Sequence, residues 1–416
     1  MKTLLIVFLA LLVSALALLG ASFFALRVAL APMPGEWTVP LALGPLTIQA
    51  GVPSMLRLAT SSWGGPLLDG RRIPTRHGVL QLAWAREGAL QVRCAPCTLQ
   101  PPGLGEEPLR LPEVQLTVRR LGEDLWGSFA SGRVRGDWKG HMAAGHIHLR
   151  VAIPATPIAD AYALFAEDIP EVKSARIEGR FSLIADIALP EGTLALKPRL
   201  ENFAVSGLGT EALVGARSSC THRTSKLVPE SWLARAVVAA EDQRFWEHPG
   251  YDLAEVTASL DRNQQEQRIA RGGSTLSQQV AKLLVTGGER SPVRKLRELL
   301  YAVEMEQVLG KPRILRLYLD NAPWGESLCG AEAASQHYFG VRAHELTITQ
   351  ASWLAAMLHN PDAEAQRWAA TGRINTARTQ WVVVALRGVP RPRKLELAQA
   401  VEDIDWKPWW VQPAER

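Results

Sequence analysis

Charge of one sign is in short supply here. The chain has 46 Lys and Arg against 41 Asp and Glu, a formal net charge of +5 over 416 residues, too small an excess to argue for a nucleic-acid partner. Cysteine is scarcer still, with four in all. No thioredoxin-like βαβ pattern surrounds Cys94-Ala95-Pro96-Cys97, which speaks against a redox motif, and no two further ligands of suitable spacing lie nearby for zinc. A local disulfide in an oxidising compartment is the plainer reading, with Cys220 and Cys329 expected as a second bridge. No internal repeat or low-complexity tract is present.

Between Thr3 and Leu26 charge is missing altogether, and the run is rich in Leu, Ala, Val and Phe. Roughly 24 residues at about 1.5 Å each give about 36 Å, enough to cross a bilayer core with some tilt. A cleaved signal peptide has an apolar region of only about 7–15 residues, no Cys follows that could carry a lipid, and no small-x-small site ends the run cleanly. An uncleaved anchor is therefore expected. Lys2 before the span and Arg27 after it orient it only weakly; the short head favours a single pass, with the bulk of the chain outside the cytoplasm.

Beyond the apolar run the chain divides by periodicity. Residues 31–54 hold five prolines and read as a linker. From 55 to 215 the period is two: Leu80, Leu82 and Trp84 alternate, Arg86-Glu87-Gly88 marks a turn, and Leu90, Val92 and Cys94 alternate again. The pattern recurs at Val114–Val118, Ile147–Ile153 and Ile177–Ile187, with a helix expected near Pro157–Glu167. His146 and His148 share a strand face, and with His141 they raise the question of a metal, though a solvated face is the simpler account. From about Leu227 the period becomes helical and holds to about Leu386. The fold class expected is α+β and multidomain: a transmembrane helix over 1–30, a β-rich antiparallel domain over 55–215, a mostly α domain over 222–390, and a tail over 391–416 rich in Pro and Trp that lies on the surface.

The chemistry concentrates in the helical part. Gly272-Gly273 permits a sharp turn, Ser274 or Thr275 is a good N-cap, and Thr275, Gln278, Gln279 and Lys282 then share one helix face opposite Leu276, Val280 and Leu283. Such a helix start attracts anions, and Lys282 adds charge. Arg290, Arg294 and Lys295 follow, with Glu298 one turn later; basic before acidic is the poorer order for pairing along a helix, so the basic groups are expected to serve something else. Before them, Glu241-Asp242 ends an apolar segment, and a Glu held in a cleft there would have its pKa raised enough to work as a base near neutral pH.

These residues carry a resemblance. Glu241-Asp242-x-x-Phe245-x-x-His248-x-Gly250 resembles the first motif of the peptidoglycan glycosyltransferases, glycosyltransferase family 51, and Gly272-Gly-Ser274-Thr275-Leu-Ser-Gln278-Gln279 with Lys282 resembles the second. Glu289-Arg290-Ser291 with Arg294-Lys295-x-x-Glu298 is similar to the third. Ile314-Leu315-x-x-Tyr318-Leu319, Gly330-x-Glu332-Ala333-Ala334 with Tyr338-Phe339-Gly340, and Asn360-Pro361 resemble those after it. The family implies a lysozyme-like fold at the outer face of the cytoplasmic membrane, acting on lipid II and the nascent glycan strand. Glu241 would be the general base on the acceptor 4-hydroxyl. Lys282, Arg290 and Arg294, often with a divalent cation (Mg or Mn), would neutralise the departing diphosphate, and Glu298 would be the second important acid, holding the metal or the basic groups. Asp242, Phe245, His248, Gly272, Ser274, Thr275, Gln278, Gln279 and Lys295 would complete the substrate site. The β-rich stretch, in pattern alone, resembles AsmA-like proteins of Gram-negative envelopes.

Leu283, Arg316, Asp320 and Gln350 depart from the family pattern. No Ser-x-x-Lys, Ser-x-Asn and Lys-Thr-Gly set follows the helical domain, so a monofunctional enzyme is expected, with a separate transpeptidase or other cell-wall protein as its partner. The rival reading is an envelope scaffold that binds lipid II or glycan without turning it over.

Overall fold

The structure, a computed structural model, describes residues 24–25, 27–43, 46–99, 108–143, 145–215, 225–266, 272–287, 291–325 and 327–406. The expected span over 3–26 lies almost wholly outside these, and among the described residues no helix is long and apolar enough to cross a membrane. Two compact units emerge: Met1–Phe165 with Gly179–Glu201, and Ala166–Glu178 with Asn202–Arg416. This division differs from the one read off periodicity, because a period of two marks a strand without saying what its ends and connections pack against.

The first unit is built on a hairpin, β1 (Thr38–Leu43) with β2 (Leu46–Gly51), and on an antiparallel sheet. A linker was expected over 31–54, and the hairpin corrects that: Pro40 pairs with Gln49 in a two-stranded ribbon, where every strand is an edge and a missing N–H is tolerated. The sheet contains β3 (Arg72–Thr75), β4 (Gly78–Ala85), β5 (Ala89–Cys94), β8 (Val114–Leu121), β9 (Asp124–Ser131), β10 (Val134–Ala143), β11 (His146–Pro157), β12 (Arg176–Leu189) and β13 (Thr193–Ser206), in the order β13-β12-β11-β10-β9-β8-β5-β4-β3. The short pair β6 (Cys97–Leu99) and β7 (Leu109–Leu111) branches off between β5 and β8. The Leu80–Cys94 alternation folds as read, with Leu80 opposite Cys94, Leu82 opposite Val92 and Trp84 opposite Leu90. Side chains from one face gather Leu82, Leu90, Val118, Leu125, Trp138, Met142 and Ile147 into a core, closed by Leu56 and Ala59 of the Val52–Ala59 helix. Cys94 and Cys97 are disulfide-bonded with Cα atoms 5.2 Å apart. Cys329 is also disulfide-bonded, and Cys220 lies outside the described residues.

His141 pairs with Asp124 at 2.7 Å and His146 with Glu191 at 2.8 Å, while His148 faces His141 across the strands. His141 and His148 are exposed and His146 half-buried, the pattern of a solvated face, and among the described residues no three metal-ligating side chains converge.

The second unit is helical. Its core joins Leu233, Val237, Phe245, Leu276, Val280, Met305 and Ile314 to an aromatic group of Trp324, Tyr338, Trp353, Trp368 and Trp406. The C-terminal segment is not the surface tail expected. Arg391–Asp403 forms a helix with Pro at its start, where the lost N–H has no intrahelical partner to miss. Val401 and Trp406 are buried, and the Trp368 indole donates to the Trp406 carbonyl at 2.6 Å. The pattern of Pro and Trp concealed one more layer of the core.

Candidate active site

Glu241 is the last residue of the Trp232–Glu241 helix, whose Ala- and Val-rich turns are buried among the other helices, while Glu241 itself is half-buried. The Gln279 side-chain amide donates to its Oε2 at 3.0 Å. Burial pushes the Glu241 carboxyl above the ordinary carboxylate range, against that hydrogen bond and the nearby Arg378 and His359, which pull it down. Tyr318 is fully buried close by; burial, and then the Glu241 charge, push its hydroxyl well up.

The next residue does a different job. Asp242 is buried, accepts the backbone N–H of Leu276 at 2.9 Å, and takes the His248 Nε2 at 3.0 Å on both oxygens. His248 Nδ1 in turn accepts from Gly250 N–H at 3.2 Å. That bond assigns the ring proton to Nε2, which donates to Asp242. Gly250 sits at φ +91° with the Ala302 carbonyl 2.9 Å from where a Cβ would be, so only glycine fits. Phe245 is fully buried, with the Lys311 ammonium 4.5 Å above its ring. Asp242, Phe245 and His248, expected at the substrate surface, form the floor beneath it.

Thr275 caps the Leu276–Ala281 helix in a capping box with Gln278, and its hydroxyl also donates to the Gly250 carbonyl at 2.7 Å. This corrects the expected anion site at the helix start. The helix is six residues long, Leu276 N–H is committed to Asp242, and Gln278 N–H to Thr275. Gln279 faces Glu241, Lys282 is exposed at the start of a π-helical turn over Lys282–Thr286, Gly272 is exposed and Ser274 half-buried.

Ser291 accepts from Arg294 N–H and, with Pro292 at the first position, starts the Pro292–Val308 helix. Glu298 is fully buried; Arg294 bonds one of its oxygens, and Lys295 the other at 2.7 Å. So Arg294 and Lys295 do pair with the acid one turn on, against the expectation from helix order: burial leaves Glu298 no other way to keep its charge. Lys295 also donates to Ser274 Oγ at 2.6 Å, joining this helix to the glycine turn. Arg290 lies outside the described residues.

Five further residues frame the site: Tyr318, quoted above only as part of a motif, with His359 and Arg378 around Glu241, and Glu306 with Lys311 beneath. Lys311 donates to Glu306 at 2.8 Å, and Ser277 donates to the same carboxylate. Their signal is tertiary, because they come from four separate helices and their ends. The departures from the family pattern have local roles. Asp320 accepts from Ser225 N and Oγ at 3.0 and 2.9 Å, Gln350 completes a capping box with Thr347, and Leu283 packs on the core; Arg316 is exposed.

Residues 212–387 match the Transglycosylase family. The chain is 44% identical over 129 residues to the biosynthetic peptidoglycan transglycosylase of Nitrosomonas eutropha, covering 31% of this chain and 53% of that protein. It is 48% identical over 133 residues to that of Bordetella avium, with 31% and 55% covered. With that of Thiobacillus denitrificans it shares 40% identity over 168 residues, or 39% of this chain and 71% of the relative. The chain spans about half the length of most of these relatives, and the residues before 212 fall outside the family match.

Proposed function

The chain belongs to the transglycosylase family, and from that premise we propose that it is a peptidoglycan glycosyltransferase. Its substrate class is a lipid-linked disaccharide diphosphate, lipid II, together with the growing glycan strand. The observation that carries this reading is Glu241: a carboxyl whose pKa burial raises, held by the neutral Gln279 amide, at the end of a helix whose next residue is locked to the glycine-turn helix.

In this reading Glu241 takes the proton of the acceptor 4-hydroxyl as that oxygen bonds to the anomeric carbon of the donor. The bond from that carbon to the diphosphate oxygen breaks with inversion, and the diphospholipid leaves with the electron pair. Lys295, held at Ser274 and Glu298, would face the departing diphosphate, with Arg294 on the same carboxylate and Lys282 exposed on the neighbouring turn. The described residues do not fit a resident divalent cation at Glu298, since Arg294 and Lys295 occupy its two oxygens and no three metal-ligating side chains converge. The uncharged run over 3–26 supports an inner-membrane anchor with the catalytic unit on the periplasmic side, where a lipid-linked substrate is within reach.

Labelled lipid II tests the reading directly. The wild-type chain is expected to build glycan polymer, and Glu241→Gln to lose about 10²–10⁴-fold in rate, the usual contribution of a general base. A wild type that binds lipid II without polymerising it would mark a scaffold. A Glu241→Gln variant as fast as wild type would remove Glu241 from the reaction.

A further inference from the structure

The Pro292–Val308 helix presents Arg294, Lys295 and Glu298 on one face. At about 100° per residue, Arg297, Tyr301 and Glu304 fall together on a second face roughly a quarter-turn away. Among the described residues, the hydrogen-bond partners of these three side chains all precede residue 212, where the family match begins. Glu171, only 7% exposed, accepts from Arg297 Nε at 2.8 Å and Nη2 at 2.6 Å, and from the Tyr301 hydroxyl at 3.3 Å, all on one oxygen. Glu304, 1% exposed, accepts from Leu208 N–H at 2.8 Å and Thr210 N–H at 3.2 Å. Buried carboxylates are costly to leave unpaired, so these two contacts fix the azimuth of the helix as well as its position.

We propose that Glu171, from a segment outside the matched family region, is a positioning residue for the transfer reaction: by gripping Arg297 and Tyr301 it sets the rotation of the Pro292–Val308 helix and so the placement of Arg294 and Lys295. A rotation of about 10° moves a group roughly 6 Å from a helix axis by about 1 Å, and a misplacement of that size can cost roughly 10²-fold in rate. The chain thereby ties its transferase site to residues that a free-standing transferase unit would not contain. This rests on the function proposed above.

The test uses the full chain with Glu171→Ala, Glu171→Gln, Arg297→Met and the Ala/Met double variant, below their melting temperatures. Lipid II polymerisation and amide hydrogen exchange over residues 292–301 are both measured. Glu171→Ala is expected to lower kcat about tenfold or more while KM stays within about threefold. Glu171→Gln, which keeps an acceptor oxygen, should fall between it and wild type. The double variant should be no worse than the poorer single one, because both remove the same contact, and exchange over 292–301 should quicken in Glu171→Ala. A folded Glu171→Ala with wild-type kcat and merely a lower Tm would overturn the proposal, as would losses that multiply in the double variant. If the wild type polymerises nothing, the functional reading fails, and exchange decides alone: unchanged protection over 292–301 overturns the proposal, while faster exchange there upholds the grip on the helix.

Discussion

Asp242→Asn changes the shape of one buried side chain hardly at all, yet the hydrogen bonds around it leave no arrangement in which every donor is met. In the native site Asp242 accepts twice, from Leu276 N–H at 2.9 Å and from His248 Nε2–H at 3.0 Å. An asparagine has one acceptor oxygen. The oxygen that Leu276 holds is also 3.0 Å from His248 Nε2 and can accept from both, but the NH2 group then replaces the other oxygen 3.0 Å from the same Nε2–H, donor against donor. The ring could move its proton to Nδ1, but Nδ1 already accepts from Gly250 N–H at 3.2 Å and lies 3.4 Å from the Lys311 ammonium. Whichever tautomer is taken, one buried N–H group, the new NH2 or that of Gly250, is left without an acceptor, at about 1–3 kcal/mol. Asp242→Ala strands both donors, about 2–6 kcal/mol on the same scale, a large part of the roughly 5–15 kcal/mol that holds a domain together.

Urea unfolding followed by tryptophan fluorescence reads both costs as a fall in midpoint at unchanged slope. Activity should fall as well, since the Leu276–Ala281 helix that Asp242 holds carries Gln279, and Gln279 holds Glu241, the proposed base. The reasoning is refuted if Asp242→Asn unfolds within about 0.5 kcal/mol of wild type, the range of a neutral surface change. It is equally refuted if Asn and Ala cost the same.

Burial, the largest influence on Glu241, holds its carboxyl above the ordinary range despite Gln279, Arg378 and His359. The native state therefore binds this proton more readily than the unfolded chain. The stability it contributes is complete below the unfolded pKa of about 4.3 and is lost as pH rises through the folded value. Glu241→Gln should accordingly melt higher than wild type at pH 7.5, with the gap closing towards pH 4; a gap independent of pH would contradict the raised pKa. For the core, Trp353 is buried with its ring centroid 5.2 Å from Tyr338, 5.2 Å from Phe339 and 5.4 Å from Trp406. Trp353→Ala should cost about 3–5 kcal/mol in thermal unfolding, and a loss below about 1 kcal/mol would show that the Arg391–Asp403 layer does not depend on this cluster.

Local order was legible in the sequence wherever one period or one cap decided it. The Leu80–Cys94 hairpin follows from alternation about Gly88, and the Thr275 capping box from Thr and Gln three residues apart. Proline misled twice, in the β1–β2 ribbon and at the start of Arg391–Asp403, since it marks linkers, edge strands and helix starts alike. The floor of the site was illegible for a different reason. Asp242 lies 34 residues from the amide it holds, and Glu171 lies 126 from Arg297. No pattern of spacing records a contact of that range.

Two acids stand side by side at 241 and 242, and their surroundings give them opposite tasks. Around the site each buried carboxylate is matched by a cation or by backbone N–H groups: Glu298 by Arg294 and Lys295, Glu171 by Arg297, Asp252 by Arg244 and Glu255 N–H, Glu304 by Leu208 and Thr210. In Glu171 and Asp252 such partners outweigh burial and hold the carboxyl below the ordinary range. Asp242 joins that set through Leu276 and His248. Glu241 does not, for the side chain that donates to it is a neutral amide. Among the described carboxyls with a resolved displacement, Glu241 alone is raised; Glu36, Glu113, Glu171, Asp186 and Asp252 are all lowered. A base must hold its charge loosely enough to take up a proton near neutral pH, and the raised carboxyl of Glu241 is what the proposed reaction draws on.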